Sequence, residues 1–157
     1  MLKNVLSTAV FFILSLIVFG SVQAQTNHTW ESYGLSFTVP ADFSEITNTD
    51  NKFEGKSDEA QINLLGLYPI NAESLTEDNL QESFIDMAAA YGMAIEGGEE
   101  IKINGFTGLY TETELEDVPA FFACMLDPNG EVNFIVIIVH NNNAEKAINI
   151  MESIQAE

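Results

Sequence analysis

Six consecutive apolar residues at 134–139 (Phe-Ile-Val-Ile-Ile-Val) constrain the fold of this chain more than any other segment. They lie inside a strand-like run that extends from 131 to 140. A strand with one face in water alternates apolar and polar residues, whereas this run is apolar on both faces. The segment therefore predicts a central strand of a sheet, with other elements packed against each side.

Shorter strand-like segments surround this one along the chain. Strands are predicted where apolar and polar residues alternate or where β-branched and aromatic residues are frequent. These segments are 35–39, 43–46, 52–56, 60–68, 101–103, 106–110 and 119–127. Pro40 and Pro69 are expected to end the strands before them. Asn104-Gly105 predicts a hairpin, since this pair suits the left-handed conformations of a type I′ turn. Residues 128–130 (Pro-Asn-Gly) predict another, and residues 48–51 predict a turn.

Two helices are predicted, one in mid-chain and one near the end. The sequence Ser74-Leu75-Thr76-Glu77 is a capping-box pattern, and Gly92 is the expected stop. The apolar stripe of this helix is Leu80, Phe84, Met87 with Ala88, and Tyr91. Three asparagines at 141–143 are expected to cap the last helix, 144–154, whose predicted buried stripe is Ala144, Ile148, Met151 and Ile154.

Hairpin-linked strands interrupted by separate helices indicate an α+β domain with a mostly antiparallel sheet. Because the central strand is apolar on both faces, we expect one helix on each side of a single sheet. Residues 25–157 are predicted to form one such domain. The single cysteine, Cys124, excludes an intramolecular disulfide, so the core alone must hold the domain together.

Residues 1–24 have the three-part plan of a secretory signal peptide. Lys3 precedes an apolar stretch at 5–19, and Val22-Gln23-Ala24 offers small or β-branched residues where a signal peptidase cuts. The stretch is shorter than the roughly 20 residues that cross a bilayer. We therefore expect cleavage after Ala24 and a soluble mature protein, periplasmic or secreted, with no membrane insertion.

The charge of the chain limits its partners. Of 157 residues, 24 are acidic and only 5 are basic, all of them lysine, so the formal net charge is −19. Removal of Lys3 with the signal leaves −20. Such a chain repels phosphate backbones, which argues against nucleic-acid binding. The expected partner is a protein with a basic patch, or a cation.

Few residues carry recognisable chemistry, and each has a structural interpretation. His28 is placed in an N-terminal tail and His140 at a strand end, as surface or capping residues. Cys124, among Phe121, Phe122, Met125 and Leu126, is predicted to be a buried core thiol. We therefore assign no catalytic, cofactor-binding or metal-ligating residue and predict no cofactor.

An acidic ridge at Glu112, Glu114, Glu116 and Asp117 is the remaining candidate for chemistry. On a strand the three glutamates would share one face, and hard cations such as calcium take carboxylate oxygens. The favoured interpretation is a solvated strand that discourages sheet-to-sheet aggregation, with divalent-cation binding as the alternative.

Three local sequences, together with the order of elements, resemble the PsbP-like superfamily. Residues 33–43 (Tyr-Gly-Leu-Ser-Phe-Thr-Val-Pro-Ala-Asp-Phe) resemble its opening strand and turn, although Phe43 stands where the family usually has tryptophan. Residues 103–110 resemble its mid-chain hairpin, and residues 143–154 resemble its closing helix. The resemblance covers about residues 30–154 and implies an α/β/α sandwich.

The same resemblance bears on function only weakly. The family includes an extrinsic subunit of photosystem II, a Ran-binding nuclear import factor and many bacterial exported proteins, and it has no family-wide catalytic residues to carry over. We expect a non-catalytic binding or accessory domain. The alternatives are a carboxylate-dependent enzyme and a carrier of a small apolar ligand in a cleft lined by Phe84, Tyr91, Phe106 or Tyr110.

Overall fold

A computed structural model describes residues 24–71 and 75–157. In this part of the chain every strand pairing is antiparallel, so the predicted α+β class with mostly antiparallel strands is confirmed. The elements are β1 Gln25–Trp30, β2 Leu35–Pro40, β3 Ser44–Asn48, β4 Phe53–Ser57, β5 Ile62–Ile70, α1 Leu80–Ala90, β6 Glu99–Ile103, β7 Phe106–Leu115, β8 Val118–Leu126, β9 Asn133–His140, α2 Ala144–Glu152 and β10 Gln155–Ala156.

These strands form two sheets, so the prediction of a single sheet is wrong. The small sheet has the order β1-β2-β10, and the large sheet has the order β3-β4-β5-β9-β8-β7-β6. Leu35, Phe37 and Val39 of β2 are buried in a hydrophobic cluster shared with the large sheet. An alternating pattern specifies which face of a strand is buried, but not which strand lies alongside it.

Strand β9 occupies the centre of the large sheet, with three strands on each side, as its apolar composition predicts. Its side chains alternate between two hydrophobic clusters: Phe134, Val136 and Ile138 in one, and Ile135, Ile137 and Val139 in the other. Each such side chain gains roughly 1.5–3 kcal/mol on leaving water, so the six together contribute on the order of 10 kcal/mol before entropic costs.

The two helices cover opposite faces of the large sheet. Phe84 and Ala88 of α1 share a cluster with Ile135 and its face of β9, which we call the α1 face. Ala147 and Ile150 of α2 share the other cluster, on what we call the α2 face. The small sheet also packs on the α2 face. Three layers result, with β9 in the middle one.

Helix α1 begins later than the capping-box pattern predicts. Ser74 lies outside the described residues, and the chain enters the helix through a 3₁₀ turn, Glu77–Asn79. The Thr76 N–H donates a hydrogen bond to Oδ1 of Asn79 (2.8 Å). Asn79 therefore supplies the side-chain acceptor that the sequence pattern assigns to Glu77, and the α-helix starts at Leu80.

The predicted end of α1 at Gly92 is confirmed. Gly92 has a φ of +82°, which a residue with a Cβ adopts at a cost. The N–H groups of Gly92 and Met93 donate to the carbonyls of Ala89 and Ala88 (3.0 and 2.9 Å). This pair of bonds is the Schellman arrangement, and the Met93 side chain that follows is buried.

The predicted buried stripe of the last helix is partly wrong. The buried side chains are Ala147, Ile150 and Met151, with Ile154 after the helix, whereas Ala144 is exposed and Ile148 half-buried. Asn143 sets this orientation, because its side chain accepts from the Lys146 N–H (3.4 Å) and donates to the Ala60 carbonyl (2.8 Å). The predicted asparagine cap is thereby confirmed.

Strand ends differ from prediction at one proline. Pro69 lies inside β5, opposite Phe134 of β9, and does not end the strand. The prediction fails because Pro69 sits next to the end of β5, where the loss of one N–H donor removes little of the ladder. No helix in the described residues is long and apolar enough to cross a membrane.

The Asn104-Gly105 hairpin is confirmed and has a second role. Both residues have positive φ values (+47° and +92°), as a type I′ turn requires. The Asn104 side-chain amide also donates to the carbonyls of Glu152 (3.0 Å) and Ile154 (2.8 Å). These bonds satisfy acceptors at the end of α2 and tie the helix to the β6–β7 turn.

We expect Asn104→Gly to lower the free energy of unfolding by about 1–2 kcal/mol, because glycine keeps the turn but lacks the two amide hydrogen bonds. Asn104→Ala should cost about 1 kcal/mol more, since alanine also resists the left-handed conformation. Urea unfolding of the three proteins measures both steps. Equal stability of wild type and Asn104→Gly would contradict a role for the amide.

Candidate functional site at the edge strand β6

The single cysteine and His140 lie where the sequence predicts. Cys124 is fully buried on the α1 face, and burial raises the pKa of its thiol to about 12. His140 ends β9, where its Nδ1 accepts a hydrogen bond from the Asn143 N–H (3.2 Å) and its ring stacks on Phe121. His140 therefore caps the turn before α2 in its neutral form.

The predicted N-terminal tail around His28 is wrong, because residues 25–30 pair with β2 along their whole length. The His28 ring contacts Phe43 edge-on, with centroids 5.1 Å apart, and its Nδ1 lies 3.8 Å from a carboxylate oxygen of Glu45. Residues 25–29 are all polar, so the sequence lacks the apolar alternation that predicts a strand. The pairing places His28 between the two sheets.

The acidic ridge is divided by a turn. Glu112 and Glu114 lie on β7, exposed and on one face. Glu116 and Asp117 instead form a two-residue turn between β7 and β8, with φ values of +51° and +64°. The prediction that three glutamates share a strand face is therefore wrong for Glu116. Among residues 24–71 and 75–157, no three His, Cys, Asp or Glu side chains converge to hold a metal ion.

The four aromatic residues predicted as alternatives to line an apolar cleft are divided between the two faces of the large sheet. Phe84 and Tyr91 pack on the α1 face. Phe106 and Tyr110 pack on the α2 face. A cleft on one face can therefore include one of these pairs but not both.

A polar cluster on the α1 face of β4 and β5 is not indicated by any sequence pattern. The Tyr68 hydroxyl donates to Glu54 (2.9 Å), whose other oxygen lies 2.9 Å from the Lys52 ammonium. The Tyr68 ring covers Gly66, where a Cβ would approach its hydroxyl to 2.5 Å. Burial, with the bond to Glu54, raises the pKa of Tyr68. The cluster covers the surface of the sheet at Gly66, so we assign it a structural role.

A groove of about 630 Å³ lies between the start of α1 and the β6–β7 hairpin. We call it the β6 groove. Its apolar lining is Leu80, Leu109 and Leu126, with Ile101 and the backbone of Gly108. Its polar lining is Gln81, Glu100, Lys102 and Thr107. The volume is within the range of ligand-binding clefts.

Strand β6 forms one wall of this groove and one edge of the large sheet. The turn at Asn104-Gly105 makes Ile103 and Phe106 a hydrogen-bonded pair, and such pairs alternate along an antiparallel ladder. The N–H and C=O groups of Glu100 and Lys102 consequently point away from β7. No other described residue forms a hydrogen bond with them. We call these four groups the open edge.

Gly98, the residue just before β6, already pairs with a peptide-like group, the side-chain amide of Gln81. The side-chain amide of Gln81 donates to the Gly98 carbonyl (3.0 Å) and accepts from the Gly98 N–H (3.1 Å). Gly98 has the same outward orientation as Glu100 and Lys102. The amide thus pairs with the edge as the backbone of a neighbouring strand would. This pairing is limited to Gly98, and the open edge begins at the next outward residue, Glu100.

Charges around the open edge are mainly negative. On the α2 face, the Tyr110 hydroxyl donates to Glu99 (3.1 Å), and this bond raises the pKa of Tyr110. Glu112 lies beside them, around a concavity of about 230 Å³. On the α1 face, Glu100 and Lys102 are both exposed. Lys102 forms no ion pair within the described residues, whereas Lys52 and Lys56 each pair with a carboxylate.

No sequence pattern indicates that Gln81, Gly98, Glu100 and Lys102 belong to one site. The Asn104-Gly105 turn signal does determine which residues of β6 point outward. The missing information is the sheet order, because the sequence does not say that β6 lies at an edge. The Gly97-Gly98 pair before β6 was the available local signal of an unusual backbone approach.

Comparison with known proteins identifies no family. No protein-family model matches the chain, and no curated protein matches it. A crystal structure of a protein from Bacteroides thetaiotaomicron VPI-5482 is similar, with a TM-score of 0.49 and 11% sequence identity. The match covers 85% of this chain and 48% of that one, so this chain spans about half its length. A likeness of this degree assigns neither a family nor an activity.

We expect the stabilising contribution of His140 to depend on pH. Burial lowers its pKa, with only partial compensation from Glu112, so protonation favours the unfolded chain. The contribution is present above the ordinary histidine pKa of about 6.5 and is lost as the pH falls below it. Urea unfolding from about pH 7.5 to about pH 5 should show wild type losing stability relative to His140→Gln. A constant difference between them would contradict this role.

Proposed function

We propose that this chain is an exported, non-catalytic binding domain that recognises a protein with a basic surface. The observation that carries the proposal is the open edge of β6, lying beside a groove on one face and carboxylates on the other. Exposed strand edges are sites where proteins bind extended segments of other proteins. The signal-like residues 1–23 lie outside the described residues and support export through their sequence alone.

Electrostatics supports a basic partner. The predicted mature chain carries four lysines against 24 acidic residues. A charge of −20 attracts cationic surfaces over a Debye length of roughly 8 Å at physiological salt, and it raises association rates. Lys52 and Lys56 are already paired within the chain, which leaves Lys102 and Lys146 as its unpaired described cations. A partner therefore meets a surface whose charged side chains are mostly carboxylates.

The PsbP-like resemblance remains part of the proposal. In its favour are the two helices on opposite faces of one antiparallel sheet, the hairpin at Asn104-Gly105 and the closing helix α2. The separate small sheet of β1, β2 and β10 is a feature that the resemblance did not lead us to expect. The family has no shared catalytic site, which agrees with a binding role.

A second candidate function is a carrier of a small apolar ligand. The β6 groove favours it, since the half-buried Leu80 and Leu126 present apolar surface in a concavity of about 630 Å³. Carriers enclose most of a ligand's surface, whereas this groove is open to solvent along the sheet edge. We therefore rank protein binding first.

We expect the mature chain, immobilised and exposed to bacterial envelope extract, to retain a specific protein with a basic patch. Retention should be strong at about 50 mM salt and weak at about 500 mM, because salt screens charge attraction between surfaces. Mass spectrometry identifies the retained protein, and a column of an unrelated protein of similar charge is the control. Recovery of no specific protein at either salt concentration would contradict the proposed function.

A further inference from the structure

We infer that the open edge of β6 binds an extended, cationic segment of the partner by strand addition. The inference rests on the proposed function and specifies its surface and mode. The N–H and C=O groups of Glu100 and Lys102 would pair with the backbone of the added segment. The added strand would become the eighth of the large sheet, next to β6.

Of the two edges of the large sheet, β6 is the one suited to receive a strand. Its five residue pairs with β7 are in continuous register. The opposite edge, β3, is interrupted by a register shift between Glu45 and Thr47. In the small sheet, β10 has two residues, and the Thr29 carbonyl of β1 already accepts a bond from Asn48 (3.1 Å). Bulges and short strands are the usual means by which edges are protected from pairing.

The Gln81 amide supplies independent support. It makes two hydrogen bonds to Gly98, one to the N–H and one to the C=O, in the place that a peptide unit of an added strand would occupy. The chain therefore already pairs an amide with the first outward residue of this edge. An added segment would continue that row of hydrogen bonds at Glu100 and Lys102.

The two faces beside the edge specify the side chains of the added segment. On the α2 face, Glu99 and Glu112 favour lysine or arginine in the segment. On the α1 face, the half-buried Leu80 side chain lines the β6 groove and favours apolar residues. Alternate residues of a strand point to opposite faces, so the preferred segment alternates basic and apolar residues.

A second copy of this chain is a poor occupant of the edge. Each predicted mature copy carries a charge of −20, so two copies repel each other. The cationic segment of another protein removes this penalty.

The test uses a capped seven-residue peptide that alternates lysine and valine, beginning and ending with lysine. Its control has the same sequence with N-methyl groups on the valines, which removes backbone donors but keeps every charge. Fluorescence anisotropy of each labelled peptide with the mature chain should show the unmethylated peptide binding at least about tenfold more tightly. Equal binding of the two peptides, or no binding of either, would overturn strand addition.

A matched pair of variants tests the same edge from the protein side. Lys102→Pro removes an outward N–H without disturbing the β7 ladder, whereas Lys102→Ala removes the same charge and keeps the N–H. We expect Lys102→Pro to bind the peptide about tenfold more weakly than Lys102→Ala. Thermal melting establishes whether both variants fold. If Lys102→Pro does not fold, the comparison of the methylated and unmethylated peptides on wild type still tests strand addition.

Equal peptide affinity of the two folded variants would overturn strand addition but not the proposed function. A salt-sensitive partner recovered from envelope extract would then still support the proposed function, with the acidic surface binding through side chains. Failure to recover any partner bears on the proposed function and not on the peptide measurement. The two hypotheses are therefore separately falsifiable.

Discussion

The burial of β9 on both faces is the constraint on which the rest of the structure depends. Its side chains enter both hydrophobic clusters, so each face of the large sheet must be covered by other elements. Helix α1 covers one face, and α2 with the small sheet covers the other. Because β9 must lie in the middle, the strands that need the least cover, the polar β3 and the charged β6, lie at the edges.

One short turn connects this core to the candidate site. Asn104 and Gly105 reverse the chain between β6 and β7 and thereby determine that Glu100 and Lys102 point outward. The Asn104 side chain also binds the end of α2, which lies on the face of the sheet opposite to the β6 groove. The conformation of the edge and the position of a helix therefore depend on the same two residues.

The sequence predicted those features that local patterns determine. Two-sided apolarity placed β9, the left-handed preference of Asn104-Gly105 placed a hairpin, and Gly92 ended α1. It failed where the answer depends on distant parts of the chain. The polar strand β1 is stabilised by its pairing with β2, and Glu116 is a turn residue because β8 folds back on β7. The open edge was not predictable for the same reason, since edge position follows from sheet order alone.

Amide hydrogen exchange along β6 in the free protein tests the central claim most directly. The claim is that outward and inward residues alternate along an uncovered edge. We predict that the amides of Ile101 and Ile103, bonded to β7, exchange at least about tenfold more slowly than those of Glu100 and Lys102, relative to their intrinsic rates. Equal protection of all four amides would contradict the account, because it would mean that the edge is already covered or that β6 pairs in another register.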